Sequence, residues 1–303
     1  MFTCSIGIMA YNEGANIEGL LDSLLAQRTY ICSIEEIFVV ASGCTDNTEA
    51  LVEKYAHMDK RVKLLIQKER EGKASAINLF LSVAKGDIFI LASADTVLEM
   101  DTVNNLVNPF TDPIIGMTGG RPIPINNNDN FIGFTVNLLW RMHHRIALEH
   151  PKMGELVAFR NIIKTIPHDT AVDEASIEAM ITELGYRLKY VEGAVLYNKG
   201  AENVRDLLKQ RRRIAAGHLH LKRSKNYSVS TTSWKIIVKS FLKEIRWGTR
   251  TTFWTIGAVI LEVSARLLGC YDFYIKKKNP FIWDIASSTK GFEKLEASRV
   301  SKC

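Results

Sequence analysis

Residues 87–95 read Asp-Ile-Phe-Ile-Leu-Ala-Ser-Ala-Asp, a short apolar run that ends at polar residues. Such a run of β-branched and aromatic side chains predicts a buried strand, with Asp95 just beyond its carboxyl end. In open parallel sheets, ligands bind in the crevice outside the carboxyl ends of the strands. The stretch therefore predicts a parallel α/β sheet with Asp95 at its ligand-binding edge.

Strand and helix patterns alternate through residues 1–120. Before Asp87, β-rich runs predict three strands, Ser5–Ala10, Glu36–Ala41 and Val62–Gln67, and a helical pattern follows each of them, the third over Lys73–Lys85. The order βαβαβαβ is typical of a mostly parallel, Rossmann-like sheet flanked by helices. We expect the loops Ala10–Glu13, Ala41–Asp46 and Ser93–Asp95 to converge on one crevice.

The regular alternation ends after residue 120. The next residues predict a helix over residues 130–150, a strand at Glu155–Phe159 and a helix from Asp173 to Leu184. No internal repeat, low-complexity tract or Pro- or Gly-rich linker separates the two parts. We therefore expect residues 1–120 and 121–221 to form two halves of one domain.

Residues 222–303 differ in character, because aromatic side chains are interleaved with lysines and arginines. Residues 222–278 hold twelve basic and three acidic residues. The most apolar run, Thr251–Leu261, stops at Glu262 and is shorter than the roughly 20 apolar residues that a membrane-spanning helix needs. We expect amphipathic helices that lie in the plane of an anionic membrane surface. The alternative is a basic helical subdomain packed on the core.

Composition and the amino terminus limit the class of protein. With 303 residues, 47% of them hydrophobic, the chain can bury a large core, which excludes a disordered chain. Five cysteines are scattered without metal-ligand spacing, which favours a reducing compartment. The first residues lack the basic and long apolar segments of a secretory signal. We expect the protein to stay in the cytoplasm.

Short polar motifs occur at the predicted loops and beyond them: Ala10-Tyr11-Asn12-Glu13, Ser42-Gly43-Cys44-Thr45-Asp46, Gly72-Lys73, Ser93-Ala94-Asp95, Asp173-Glu174 and Gln210-Arg211-Arg212-Arg213. In this order they resemble the motifs of the family 2 inverting glycosyltransferases, over about residues 5–217. The resemblance implies a GT-A fold and a nucleotide-diphosphate sugar as donor. It implies that the donor is bound by Ala10, Tyr11, Glu13, Ser42, Asp46, Lys73, Ser93 and Asp95.

Two of these positions carry a further interpretation. Ala41 and Ser42 stand where the family has aspartates that contact the base, so the base is left open. Asp46 and Glu49 also form the pattern of a capping box at the start of the second helix. A structural role and a ligand contact are both open for Asp46.

Lys73 and Asp95 supply the charges of the expected donor site. Lys73 stands at a predicted helix start, where its ammonium and the unpaired N–H groups favour an anionic nucleotide. The resemblance places Asp95 in the family's Asp-x-Asp motif, with Ser93 in place of the first acid. It implies a divalent cation, Mg²⁺ or Mn²⁺, held by Asp95 and mostly by diphosphate and water.

Asp173 and Glu174 stand where the family has its catalytic pair of acids. A carboxylate there would take the proton of the acceptor hydroxyl as that oxygen attacks the anomeric carbon, and either residue could serve. The alternative is a pair of acids that complements a helix dipole.

Gln210, Arg211 and Arg213 resemble the family's Gln-x-x-Arg-Trp motif, with Ile214 in place of the tryptophan. Guanidinium groups bind phosphates through paired hydrogen bonds. We expect these residues at the donor diphosphate or at an acceptor phosphate. The alternative is a basic surface helix.

Together, these patterns predict an inverting hexosyltransferase of cell-envelope glycan or glycolipid synthesis, with a lipid-linked or membrane-borne glycan acceptor. We expect it at the cytoplasmic face of the membrane, peripheral or monotopic, and without a nucleic-acid partner. Two other functions stay open. The departures at Ala41, Ser42 and Ser93 are compatible with a catalytically impaired protein that only binds nucleotide sugars. A nucleotidyltransferase also uses a nucleotide-binding α/β half, although the first loop here lacks a Gly-rich, basic phosphate loop.

Overall fold

The centre of the fold is one eight-stranded sheet. The computed structural model describes residues 1–244 and 248–277, together with residues 279, 281 and 288. The strands are β1 (Phe2–Ala10), β2 (Cys32–Ser42), β3 (Val62–Gln67), β4 (Ile88–Ser93), β5 (Thr96–Leu98), β6 (Ile115–Pro124), β7 (Leu156–Arg160) and β8 (Arg187–Asn198).

The sheet is mixed and runs in the order β3-β2-β1-β4-β7-β6-β8-β5. Strands β1 to β4 are parallel to one another, as their βαβ order predicts. Strand β7 is antiparallel to both β4 and β6, whereas β6 and β8 are parallel. The carboxyl ends of β1, β2 and β4 therefore meet the amino end of β7 at one edge of the sheet.

Helices cover both faces of this sheet. They are α1 (Ile17–Leu25), α2 (Thr48–Met58), α3 (Lys73–Val83), α4 (Thr102–Val107), α5 (Phe131–Glu149), α6 (Asp173–Glu183), α7 (Val204–Lys225), α8 (Trp234–Glu244) and α9 (Thr249–Tyr274). Helices α1, α2 and α4 pack on one face, and α3 and α6 on the other. The alternation along β2 explains the two cores, since Val39 faces the first and its neighbours Phe38 and Val40 face the second.

The predicted α/β sheet is present, with its first four strands in the predicted order. Strands β5, β6 and β8 were not among the predicted elements. Strand β6 runs across residue 120, so residues on both sides of that position belong to one sheet.

Helices α8 and α9 pack on α5 through an apolar cluster in which Trp254 and Ala258 contact Phe134 and Leu138. Ion pairs add to this docking, because Lys239 and Lys243 of α8 both pair with Glu149 of α5. Trp247 and Trp283, two of the aromatic residues of the segment 222–303, lie outside the described residues.

Helix α9 is longer than the apolar pattern indicated. Among the described residues, it is the one helix long and apolar enough to cross a membrane by length and composition. Glu262 ends the apolar run but not the helix, which continues without interruption to Tyr274. Glu262 and Asp272 do not break it, since both turn towards arginines of α7.

Candidate active site

Hydrogen bonds join the loops that follow β1 and β2. Asn12 has a left-handed backbone, with φ 53°, a conformation that asparagine tolerates better than most residues. Its Oδ1 accepts a hydrogen bond from the backbone N–H of Thr45 over 2.8 Å. Next to it, the backbone N–H of Glu13 donates to Oγ1 of Thr48 over 2.8 Å. The two loops therefore converge, and they hold Tyr11 beside the carboxyl end of β1.

Asp46 is engaged by the protein itself. Its Oδ1 accepts the N–H of Thr48, the first residue of α2, over 3.0 Å, and its Oδ2 accepts the N–H of Gly14 over 3.0 Å. These bonds favour the structural interpretation, in which Asp46 ties the start of α2 to the first loop. Ser42 is also turned inward, since it is buried and its Oγ donates to the carbonyl of Glu69 over 3.3 Å.

Tyr11 and Arg70 form a flat surface with positive charge. The guanidinium carbon of Arg70 lies 4.0 Å from the centre of the Tyr11 ring, in the range of a cation–π contact. Gly43 permits this approach of the loops, because its φ is +63° and a Cβ there would lie 2.8 Å from the backbone nitrogen of Arg70. The site thus has an aromatic and cationic surface next to the loop after β1.

Lys73 joins the amino ends of two helices. Its Nζ lies 2.6 Å from Oε1 of Glu174 and 3.2 Å from Oδ2 of Asp173. Lys73 is the first residue of α3, and the two acids are the first residues of α6. The unpaired N–H groups of a helix amino end favour an anion. The sequence predicted each of the three residues but not the contact between them.

Asp173 and Glu174 differ in exposure and in pKa. The side chain of Asp173 is 0% exposed, whereas that of Glu174 is 24% exposed. Burial raises the pKa of Asp173 to about 6, although the charge of Lys73 opposes the rise. Burial acts on Glu174 in the same sense, but the charge of Lys73 and the hydrogen bond from its ammonium lower the pKa of Glu174 below its usual value. Glu174 is therefore ionised and accessible, and Asp173 is enclosed.

Asp95 lies between β4 and β5 in a region of negative charge. Burial raises the pKa of Asp95 to about 7, the charges of Glu155 and Glu13 raise it as well, and the charge of Lys73 opposes them. Like charges raise the pKa of a carboxylate and an opposite charge lowers it. The charges of Glu155, Glu13 and Lys73 therefore all act on Asp95.

Glu155 is a site residue that the sequence patterns did not identify. Its Oε2 accepts a hydrogen bond from Oγ of Ser93 over 2.8 Å, and its backbone carbonyl accepts the N–H of Ser93 over 3.2 Å. The sequence predicted Glu155 only as the first residue of a strand. Its position depends on the antiparallel register of β7 against β4, for which the sequence pattern contains no signal.

The carboxylates suit a hard divalent cation. Oxygen ligands are those that Mg²⁺ and Mn²⁺ prefer, and a cation would relieve the repulsion between Asp95 and Glu155. Within the residues that the structure describes, no three His, Cys, Asp or Glu side chains are grouped to hold a metal ion. The residues therefore fit a cation that takes its other ligands from a diphosphate and water.

The two arginines that were predicted to bind phosphate lie in different surroundings. Arg211 forms two hydrogen bonds of 2.8 Å with the carboxylate of Glu262 on α9. Burial lowers the pKa of Arg213 to about 10, while the charges of Asp173 and Glu174 oppose the change. Gln210 is half-buried on the same helix.

The sheet topology and the position of Asp95 at its edge define a protein of the GT-A class. In fold, the chain is similar to the mannosyltransferase PcManGT from Pyrobaculum calidifontis, determined in complex with GDP-Man and Mn²⁺, with a TM-score of 0.66 and 20% identity over 91% of this chain and 88% of that chain. The expected GT-A fold is thereby confirmed. Residues 5–168, more than half of the chain, match the model of glycosyl transferase family 2, so the protein belongs to that family.

Relatives by sequence lie in the same functional class. The chain is 27% identical over 223 residues to the poly-beta-1,6-N-acetyl-D-glucosamine synthase of Staphylococcus aureus, which covers 69% of this chain and 53% of that protein. It is 30% identical over 102 residues to the glycosyltransferase GlyG of Streptococcus pneumoniae, which covers 34% of this chain and 33% of that protein. The chain thus spans about half the length of the S. aureus relative.

Proposed function

We propose that the protein is an inverting glycosyltransferase that moves a sugar from a nucleoside-diphosphate sugar to a hydroxyl group of a lipid-linked or other membrane-borne acceptor. The observation that carries this proposal is the contact of Lys73 with Glu174, since it brings a cation, a helix amino end and an ionised carboxylate to the edge at which Asp95 lies. The cation and the helix amino end favour binding of a nucleoside diphosphate, and the ionised carboxylate can take the proton of a hydroxyl nucleophile.

The donor binds across the carboxyl ends of β1, β2 and β4. Tyr11 and Arg70 offer a surface on which a planar base can stack, beside the backbone of the loop that begins at Ala10. The diphosphate then extends towards Lys73 and Arg213, whose positive charges favour it. Asp95 would hold a divalent cation there, which would supply stabilisation of the negative charge that develops on the leaving diphosphate.

Glu174 is the base in this proposal, and Asp173 is a positioning residue. Glu174 is ionised and partly exposed, whereas Asp173 is fully buried and pairs with the ammonium of Lys73. As the acceptor oxygen forms its bond to the anomeric carbon, the bond between that carbon and the phosphate oxygen breaks. The hydroxyl proton goes to Glu174, and the nucleoside diphosphate leaves. Attack from the face opposite the leaving group inverts the anomeric configuration.

Product analysis tests this reaction. We expect a nucleoside diphosphate as the released product, and an NMR spectrum of the sugar product with the anomeric configuration opposite to that of the donor. Retention of configuration would contradict the inverting mechanism. Pyrophosphate as the product would instead identify a nucleotidyltransferase, and tight donor binding without turnover on any acceptor would identify a binding protein.

The membrane part of the proposal rests on an exposed apolar face of α8 and α9. On α9 this face consists of side chains spaced three or four residues apart, namely Phe253, Ile256, Ile260, Val263, Leu267, Tyr271 and Tyr274, and α8 adds Trp234, Val238 and Leu242. Such spacing puts side chains on one side of a helix. Exposed lysines occur on α8 and just after α9, among them Lys235 and Lys276. Apolar and basic groups together suit an anionic membrane surface.

We propose that α9 lies in the membrane plane rather than across the bilayer. Its other side is docked to α7 of the catalytic domain, where Glu262 pairs with Arg211 and Asp272 with Arg212. At the same interface, a Cβ on Gly269 would lie 2.8 Å from the backbone oxygen of Arg212. A helix that is held flat on a globular domain cannot cross a bilayer without pulling charged surface into lipid, which is costly.

Vesicle flotation tests the membrane surface. The protein should float with vesicles that contain phosphatidylglycerol and less with neutral phosphatidylcholine vesicles, and Phe253→Ser with Leu267→Ser should reduce flotation. The matched control is Met58→Ser, since Met58 is equally an exposed apolar residue, at 70%, but lies on α2. Equal flotation of all variants would contradict the docking face, and salt-sensitive retention on DNA without flotation would favour a nucleic-acid partner.

A further inference from the structure

Ser93 and Glu155 face each other across two antiparallel strands. Strand β4 pairs with β7 so that Ala92 lies opposite Leu156, and the next pair is Ser93 with Glu155. The backbone N–H of Ser93 donates to the carbonyl of Glu155, and the hydroxyl of Ser93 donates to its carboxylate over 2.8 Å. Side chains opposite each other on one face of a sheet are close neighbours. The carboxylate of Glu155 is thus held at the side chain of position 93.

The same carboxylate lies beside the segment that carries Asp95. Ser93, to which Glu155 is hydrogen-bonded, is the last residue of β4 and precedes Asp95 by two positions. Glu155 is only half-buried, and one of its oxygens accepts the bond from Ser93. Asp95, just after β4, and Glu155, just before β7, therefore offer two carboxylates at the same edge of the sheet.

We infer that Glu155 supplies the second carboxylate of the divalent-cation site, at the place where Ser93 itself provides no acid. Ser93 is the positioning residue in this arrangement, since its hydroxyl fixes the direction of the Glu155 carboxylate. The inference rests on the proposed function, because it assumes that a cation bridges this edge and the diphosphate. Hydrogen bonds that orient a ligand are worth about 10- to 100-fold in metal affinity.

Manganese binding to the purified full chain tests this assignment without an assay of turnover. The free Mn²⁺ signal in electron paramagnetic resonance gives the affinity, measured with Mn²⁺ alone and with Mn²⁺ plus UDP or GDP. We expect Ser93→Ala to weaken Mn²⁺ binding about tenfold and Glu155→Gln to weaken it by a larger factor. Adding Ser93→Asp to Glu155→Gln should restore the affinity. Glu35→Gln is the control, since Glu35 is an exposed acid on β2.

The outcomes separate this inference from the proposed function. Unchanged Mn²⁺ affinity in Glu155→Gln, with loss in Asp95→Asn, would overturn the role of Glu155 and leave the proposed function standing. Failure of Ser93→Asp to restore the affinity would also overturn it. Unchanged affinity in both Glu155→Gln and Asp95→Asn would overturn the cation site as a whole. Circular dichroism and UDP or GDP binding in EDTA establish that each variant is folded. If Glu155→Gln does not fold, Glu155→Asp replaces it in the Mn²⁺ measurement, because it keeps the charge but places it on a shorter side chain.

Discussion

The ammonium of Lys73 lies 2.6 Å from Oε1 of Glu174, and this contact joins the first turn of α3 to the first turn of α6. It couples the residue that we assign to the donor phosphates with the residue that we assign as the base. The positive charge keeps Glu174 ionised, because it lowers the pKa of this carboxylate below its usual value. The donor side and the acceptor side of the crevice therefore share one ion pair.

Removing the charge of Lys73 should move the pH dependence of turnover. In Lys73→Met the pKa of Glu174 rises, so the base is protonated at a higher pH and the acid limb of the kcat/KM profile shifts to higher pH. In the wild type, the lowered pKa keeps the base active to lower pH. The profile is measured by nucleoside diphosphate release. Lys73→Arg retains the charge and should leave the limb in place, and equal limbs in Lys73→Met and wild type would contradict the coupling.

Substitution of Arg211 tests whether this residue, which was predicted to bind phosphate, instead stabilises the contact between α7 and α9. Arg211→Met leaves the carboxylate of Glu262 with the hydrogen bond from Arg266 alone, and we expect a loss of about 1–3 kcal/mol in the free energy of unfolding by urea. Arg211→Met with Glu262→Met should recover most of this loss and should leave donor affinity unchanged in calorimetry. Arg213→Met should weaken donor binding instead. A lower donor affinity in the double variant than in the wild type would instead place Arg211 at the donor phosphates.

Much of the fold could be predicted because its signals are local. The apolar runs that form β1 to β4 are continuous in sequence. Tyr11 and Asp95 follow β1 and β4 closely, and Lys73 begins α3, as the pattern predicted. What the sequence could not indicate depends on pairing between distant segments. Glu155 reaches Ser93 only through the register of β7 with β4, and the pairing of Glu262 of α9 with Arg211 of α7 likewise joins segments that are distant in sequence.

Glu36 should make the stability of the sheet depend on pH. This buried carboxylate accepts hydrogen bonds from Ser5 and from the backbone of Lys85, and it pairs with Lys63 at 2.8 Å. Burial opposes ionisation, but these partners together lower the pKa of Glu36 below its ordinary 4.5. A carboxylate with a lowered folded-state pKa stabilises the fold above its unfolded pKa, and the contribution is lost as the pH falls through the folded-state value.

Glu36→Gln is the corresponding variant. We expect it to lower the free energy of unfolding at pH 7 by about 1–3 kcal/mol, and its stability should depend less on pH below about 4.5 than that of the wild type. Urea unfolding between pH 3 and pH 7 measures both effects. Glu35→Gln, the exposed neighbour, should change neither of them. The same loss at every pH would contradict the ionised state of Glu36.

Gly269 should be intolerant of a side chain. Its Cβ would lie 2.7 Å from Cβ of Ala215 and 2.8 Å from the backbone oxygen of Arg212, so Gly269→Val must separate α9 from α7. Overpacking of this kind costs about 1–3 kcal/mol and should lower the melting temperature. Gly193→Ala is the control, because the nearest atom to its Cβ is Nδ2 of Asn105 at 3.7 Å. An unchanged melting temperature in Gly269→Val would contradict the close docking of the two helices.

Release of nucleoside diphosphate from a panel of nucleotide sugars, by the wild type and by Asp95→Ala, Glu174→Gln and Glu35→Gln, tests the central claim most directly. The account predicts that Asp95→Ala and Glu174→Gln each lower kcat at least about 100-fold with the fold intact, and that Glu35→Gln turns over like the wild type. Equal turnover in the wild type and in the two site variants would contradict a glycosyl transfer centred on Asp95, Lys73 and Glu174.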